Sequence, residues 1–96
     1  MVEQIKVSPD LLQERAQQYG NAAQTIQDLL SRLQVVQQQL ESEWQGQAFR
    51  GFDQQFHLLK PKVIAFANTL EGVQQQLVKT AQAMCEYDRL LATQFS

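Results

Sequence analysis

The residues able to carry chemistry in this chain are few. It holds one histidine, His57, and one cysteine, Cys85. A single imidazole and a single thiol exclude the usual zinc patterns, and one cysteine excludes a disulfide within the chain. His57 stands between Phe56 and Leu58, where a partly exposed helix histidine is favoured over acid–base work. Glu41 with Glu43, and Glu86 with Asp88, are neighbours in sequence. Residues two apart on a helix point to different sides, so neither pair makes an acid–base dyad. There is no glycine-rich phosphate loop and no serine nucleophile motif. Cys85 follows Met84 on a flank, where a bystander thiol is favoured over an intermolecular disulfide. The stripe Phe49, Phe52, Phe56 and Phe66 has the spacing of a core seam rather than of a ligand box. The residues therefore assign no catalytic group, metal or cofactor, and the chain reads as an interaction protein.

The elements that position these residues are helical. The chain has 96 residues, four glycines and two prolines, so it forms one small domain with few turns. Ser8-Pro9-Asp10 is a helix start: a capping hydroxyl, a proline at the first position and an acid at the positive helix end. Apolar residues then step by four and three through Leu12, Ala16, Tyr19, Ala23, Ile26, Leu30, Leu33, Leu40 and Trp44, which is a heptad seam. Gln37 occupies a seam position, either to fix register or as a tolerated polar residue. A second seam runs Phe49, Phe52, Phe56, Leu59, Val63, Phe66, Leu70, Val73, Leu77, Met84, Tyr87 and Leu91. Pro61 lies off this seam, so a bend is expected there and not a break. The sequence predicts an all-α hairpin: helix 9–43, turn 44–46 and helix 47–95. At 1.5 Å per residue the helices would be about 50 and about 70 Å long. Residues 82–96 would then overhang the first helix.

Both stripes are wider than a two-helix contact requires. Ala22-Ala23, Leu29-Leu30 and Val35-Val36 are doublets on the first helix, and Leu58-Leu59, Val63-Ile64 and Leu77-Val78 on the second. Doublets widen a seam into a bundle face. The expected assembly is a four-helix bundle of two hairpins, with a second copy as the simplest partner and a related helical protein as the alternative. Its core would hold Ile26, Leu30, Leu33, Phe52, Phe56, Leu59, Val63 and Phe66. The net charge of −2 and the scattered basic residues exclude a nucleic-acid surface. The longest apolar runs fall far short of a membrane span. A membrane-active helix would need a basic polar face, and this one is mostly glutamine. The runs Gln37–Gln39 and Gln74–Gln76 interrupt neither seam and read as solvated helix faces. Met1–Lys6 lacks the apolar stretch of a cleavable signal peptide.

The turn and the tail carry the most specific pattern. Trp44-Gln45-Gly46 stands between the two seams, at the midpoint of the chain. Gly46 can take the left-handed conformation that ends a helix. A helical hairpin of this length with a central W-x-G resembles the Esx-like WXG family of small type VII secretion substrates. The resemblance covers the whole chain. The family's C-terminal helix commonly bears a hydrophobic residue, an acid four on, then hydrophobic residues at intervals of three and four. Met84, Asp88, Leu91 and Phe95 match that pattern, and the spacing places them on one helix face. Read alone, the same four residues equally suit a continued seam beside a solvated carboxylate. Tyr87 is followed four residues later by Leu91, not by the acid of the mycobacterial form of the signal.

The resemblance implies a leaderless protein, cytoplasmic before export and extracellular after it, recognised as a folded dimer by a membrane secretion ATPase. It also implies a virulence-associated substrate. The expected recognition surface joins Trp44 and Gly46 of one subunit to Met84, Asp88, Leu91 and Phe95 of the other. Two other readings stay open here: a partner that escorts a larger type VII toxin, and a cytosolic helical adaptor.

Overall fold

The computed structural model describes residues 7–44 and 46–95, with Phe95 described in its backbone alone. Two antiparallel helices make up the fold: α1, Pro9–Glu43, and α2, Gln47–Phe95. No strand occurs among the described residues. The all-α hairpin expected from the two heptad runs is the observed architecture. Its start is built as the residues dictate. Ser8 has extended backbone, its Oγ accepts a hydrogen bond from the Leu11 amide at 3.1 Å, and Pro9 opens the helix. The molecule measures 75 × 27 × 15 Å. Its long axis is α2, whose 49 residues span about 73 Å at the α-helical rise.

The seam between the helices is made largely of small and polar side chains. On α1 the buried residues are Ala16, Ala23, Leu30 and Gln37, one per heptad. On α2 they are Phe49, Ala67 and Ala81. Gly20 lets the seam close further: the Gln74 amide lies where a β-carbon on residue 20 would be, with its Nε2 2.5 Å from that point. Among the described residues no large side chain is fully buried.

The α2 seam keeps part of the bulky stripe read in the sequence, with Phe49 buried and Phe56, Val63, Leu70, Val73 and Leu77 half-buried, but at three positions it passes to the next residue. Phe52, Leu59 and Phe66 are exposed, at 42, 53 and 57%; Tyr87, in the segment expected to overhang α1, is exposed as well. The residues that follow the first three, Asp53, Lys60 and Ala67, are half-buried or buried instead. The physical reason is close approach. Alanines in the seam let the two backbones come nearer than rows of Phe and Leu would, and Phe52, Leu59 and Phe66 stand to the side. Leu33 of α1 is exposed in the same way, while Ile26, Phe56 and Val63 are half-buried at the edge.

Pro61 lies inside α2 without breaking it. It is exposed, so its ring meets solvent and not α1. The residue costs helix stability, because it removes one amide donor and crowds the preceding turn. Pro61→Ala is expected to stabilise the fold by about 1–3 kcal/mol, partly offset by the greater freedom of the unfolded chain. A rise in the urea midpoint at unchanged helical content would show it; an unchanged midpoint would mean that the bundle has absorbed the proline at no cost.

Candidate functional site

The two flanks of the hairpin differ in kind. One flank is apolar on both helices. Ile26, Leu29, Leu33 and Val36 of α1 face Phe52, Phe56, Leu59 and Val63 of α2 across an open trough of about 380 Å³. Leu29, Leu33, Val36, Phe52 and Leu59 are each more than 40% exposed. Leu29, Val36 and Leu59 come from the doublets of the sequence, and the intrachain seam leaves them uncovered. The opposite flank is polar. There Gln27 Nε2 donates to Glu71 Oε1 at 2.9 Å, and Gln34, Gln38, Glu41 and His57 line a hydrophilic hollow.

Gln37 has a definite role in this arrangement. It is 8% exposed and is the buried polar residue of the described chain. Its Nε2 donates to Asp53 Oδ1 at 3.1 Å, and Asp53 Oδ2 lies 3.3 Å from His57 Nε2. The register alternative left open for Gln37 is thereby resolved in favour of a specific inter-helix bond. Sequence reasoning passed over Asp53 because it falls one residue off the bulky stripe. The available signal was the i,i+4 spacing of Asp53 and His57, which puts them on one helix face. His57 itself is exposed, as expected.

The turn presents an aromatic cluster. α1 ends with Trp44 as its cap, with an extended backbone and its amide donating to the Leu40 carbonyl at 2.7 Å. The Trp44 ring meets Phe49 edge-on at a centroid distance of 6.1 Å and Phe52 at 6.2 Å. Phe49 is buried beneath it, while Trp44 keeps 42% of its surface exposed. Gln45 lies outside the described residues. Gly46 has a φ of +138°. It does not end α1 in the left-handed form expected from sequence. It immediately precedes α2, where its carbonyl accepts from the Arg50 amide at 3.4 Å.

At the far end of α2, Met84 and Leu91 are half-buried and Tyr87, Asp88 and Leu90 are exposed. Glu86 and Arg89 form an exposed ion pair at 2.5 Å on this segment. The Phe95 side chain lies outside the described residues. Cys85 is a free, exposed thiol. Among the described residues no group of three His, Cys, Asp or Glu side chains could hold a metal ion, and no helix is long and apolar enough to cross a membrane.

A family model described as proteins of 100 residues with WXG matches residues 4–89. This chain belongs to the WXG100 family. It is 42% identical over 91 residues to the type VII secretion system extracellular protein A of Staphylococcus aureus, covering 95% of this chain and 94% of that one. Its fold matches the crystal structure of Geobacillus thermodenitrificans EsxA with a TM-score of 0.86 and 29% identity, covering 96% of this chain and 99% of that one. It also matches the secreted protein EsxB of Bacillus anthracis, with a TM-score of 0.82, 28% identity, and coverage of 91% and 99%. The W-x-G of the family description is Trp44-Gln45-Gly46 here, at the turn that joins the helices.

The backbone at Gly46 gives a clean test of why glycine stands there. A β-carbon would meet nothing within 4 Å, so any penalty comes from the positive φ and not from a clash. Gly46→Ala should cost about 1–3 kcal/mol of stability. Gly51→Ala, inside α2 and also with open space, should stabilise by about 0.5–1 kcal/mol. Denaturation midpoints moving in the same direction for both variants would contradict this account.

Proposed function

We propose that this protein is a substrate of a type VII secretion system, exported as a folded helical dimer. The observation that carries the proposal is the open apolar flank beside an exposed turn tryptophan, in a chain 42% identical to a type VII extracellular protein. A lone hairpin with that flank uncovered would leave Leu29, Leu33, Val36, Phe52, Leu59 and Phe66 in water. Burying side chains of this size contributes about 1.5–3 kcal/mol each, which favours a second hairpin on the same face. A second copy is the simplest partner, since one self-complementary surface serves both subunits. Tyr19, Ile26 and Leu40 extend the face along α1, and Val63, Leu70 and Val73 extend it along α2.

In such a bundle the C-terminal segment of one subunit reaches toward the turn of the other. The recognition surface is then composite. Trp44 supplies a rigid apolar anchor, the kind of side chain that dominates protein interfaces. Gly46 sets the turn. Met84, Leu91 and Phe95 add an apolar stripe, and the exposed Asp88 carboxylate selects a basic or hydrogen-bonding group on the secretion ATPase.

Two measurements test this. In sedimentation, wild type should have the mass of two chains. Leu59→Asp should weaken self-association by about tenfold or more, given ~1.4 kcal/mol per factor of ten and the cost of a carboxylate in an apolar face. A wild-type monomer would sink the bundle. In a host carrying the secretion system, wild type should accumulate in the medium of unlysed cells. Trp44→Ala and Asp88→Ala should remain inside as soluble dimers. Wild type that stays in intact cells overturns export, and Asp88→Ala exported at the wild-type level removes Asp88 from the surface.

A further inference from the structure

We propose that Gln37 and Asp53 form a latch that sets how Trp44 is presented at the turn, making them positioning residues for recognition; this rests on the proposed role of Trp44. The helices on either side of the turn have unequal anchors. α1 ends firmly, with the Trp44 amide 2.7 Å from the Leu40 carbonyl. α2 begins weakly. Its first turn carries no acidic residue, and the backbone bond that spans its start, from Arg50 to Gly46, is 3.4 Å long, beyond the usual range. A β-carbon at Gly46 would meet nothing within 4 Å, so the packing across the turn is that of the Trp44 ring on Phe49 and Phe52, which is apolar and non-directional.

What holds the start of α2 against α1 is one helical turn further on. Asp53 shares a face with the buried Phe49 and directly follows Phe52, the two rings that contact Trp44. Its Oδ1 accepts from the buried Gln37 amide at 3.1 Å, across the turn. Its Oδ2 lies 3.3 Å from His57 Nε2, one turn on along the same helix. Gln37 is 8% exposed, and a buried amide donor left without an acceptor is costly. The bond therefore fixes the rotation of α2 about its axis near the turn, and with it the positions of Phe49 and Phe52 under the indole. Apolar contacts alone would let that rotation drift, because they are non-directional.

The chain has a single tryptophan, so Trp44 reports on its own surroundings. The test is acrylamide quenching and emission wavelength of Trp44 in the full-length protein, with helical content and mass measured on each sample. Gln37→Leu removes the donor while keeping the seam filled, and Asp53→Ala removes the acceptor. Both should raise quenching and red-shift the emission at wild-type helicity. Asp53→Asn keeps an oxygen acceptor and should stay close to wild type. Gln27→Leu removes the other inter-helix glutamine bond, distant from the turn, and should leave Trp44 unchanged. Unchanged quenching in both Gln37→Leu and Asp53→Ala overturns the proposal. So does an equal rise in Gln27→Leu. If Asp53→Ala unfolds, Gln37→Leu decides; loss of helix in both overturns a role confined to the turn. None of these readings requires export, so normal export of Trp44→Ala would defeat the secretion signal and leave the latch standing.

Discussion

The constraint on which this structure turns is the narrowness of the contact between its two helices. Ala16, Ala23, Ala67 and Ala81 let the backbones approach closely, and Gly20 makes room for the Gln74 amide. Close approach gains dispersion contacts along the seam, but each alanine buries little area. The bulky side chains are displaced to one side. A two-helix protein with no large side chain fully buried has little hydrophobic stabilisation of its own against the chain entropy of 96 residues. The shape of the seam thus determines that the main apolar surface faces outward, and the need for a second hairpin follows from it.

The polar flank is the complement of this division. Gln27 with Glu71, and Gln37 with Asp53, place hydrogen bonds on or beside the seam, away from the open trough. Such bonds add modest net stability, about 1 kcal/mol each, but they are directional. An alanine seam tolerates sliding and rotation, because one small side chain replaces another. Glutamine–carboxylate pairs do not, since a displaced amide loses its acceptor. The chain separates the two tasks: apolar residues provide the driving force for assembly, and polar residues set the register. The hydrophilic flank also stays wetted, which leaves the trough as a broad apolar face open to a partner.

Much of the fold was legible in the sequence because its signals are local. Ser8 and Pro9 show a helix start whatever packs against them, and a heptad run through Pro61 indicates a continuous helix when the proline is off the seam. The seam itself was less legible. A reading by hydrophobicity follows the largest side chains, so it places Phe52, Leu59 and Phe66 in the row that forms the core. Packing selected the neighbours Asp53, Lys60 and Ala67, two of them smaller than the residues they replace at the seam. Alanine carries little hydrophobic signal, and its value here lies in what it permits the backbone to do. Gly46 was misassigned for a related reason. Its positive φ could be expected from the residue type, but whether it closes α1 or opens α2 depends on Trp44 acting as the cap, which is a matter of geometry.

The same geometry explains why tryptophan and glycine belong together at this turn. Trp44 ends α1 in extended backbone, which swings its indole out of the helical path and over Phe49 and Phe52. The chain must then reverse within two residues to start α2 beside α1. A reversal that short needs a backbone conformation that side chains other than hydrogen rarely adopt, and Gly46 supplies it at a φ of +138°. A residue with a β-carbon would strain the turn or lengthen it, and a longer turn would carry Phe49 and Phe52 away from the indole. The glycine places the rings, the rings support the tryptophan, and the tryptophan retains enough exposed surface to meet a partner. Trp44 and Gly46 thus act as one mechanical unit.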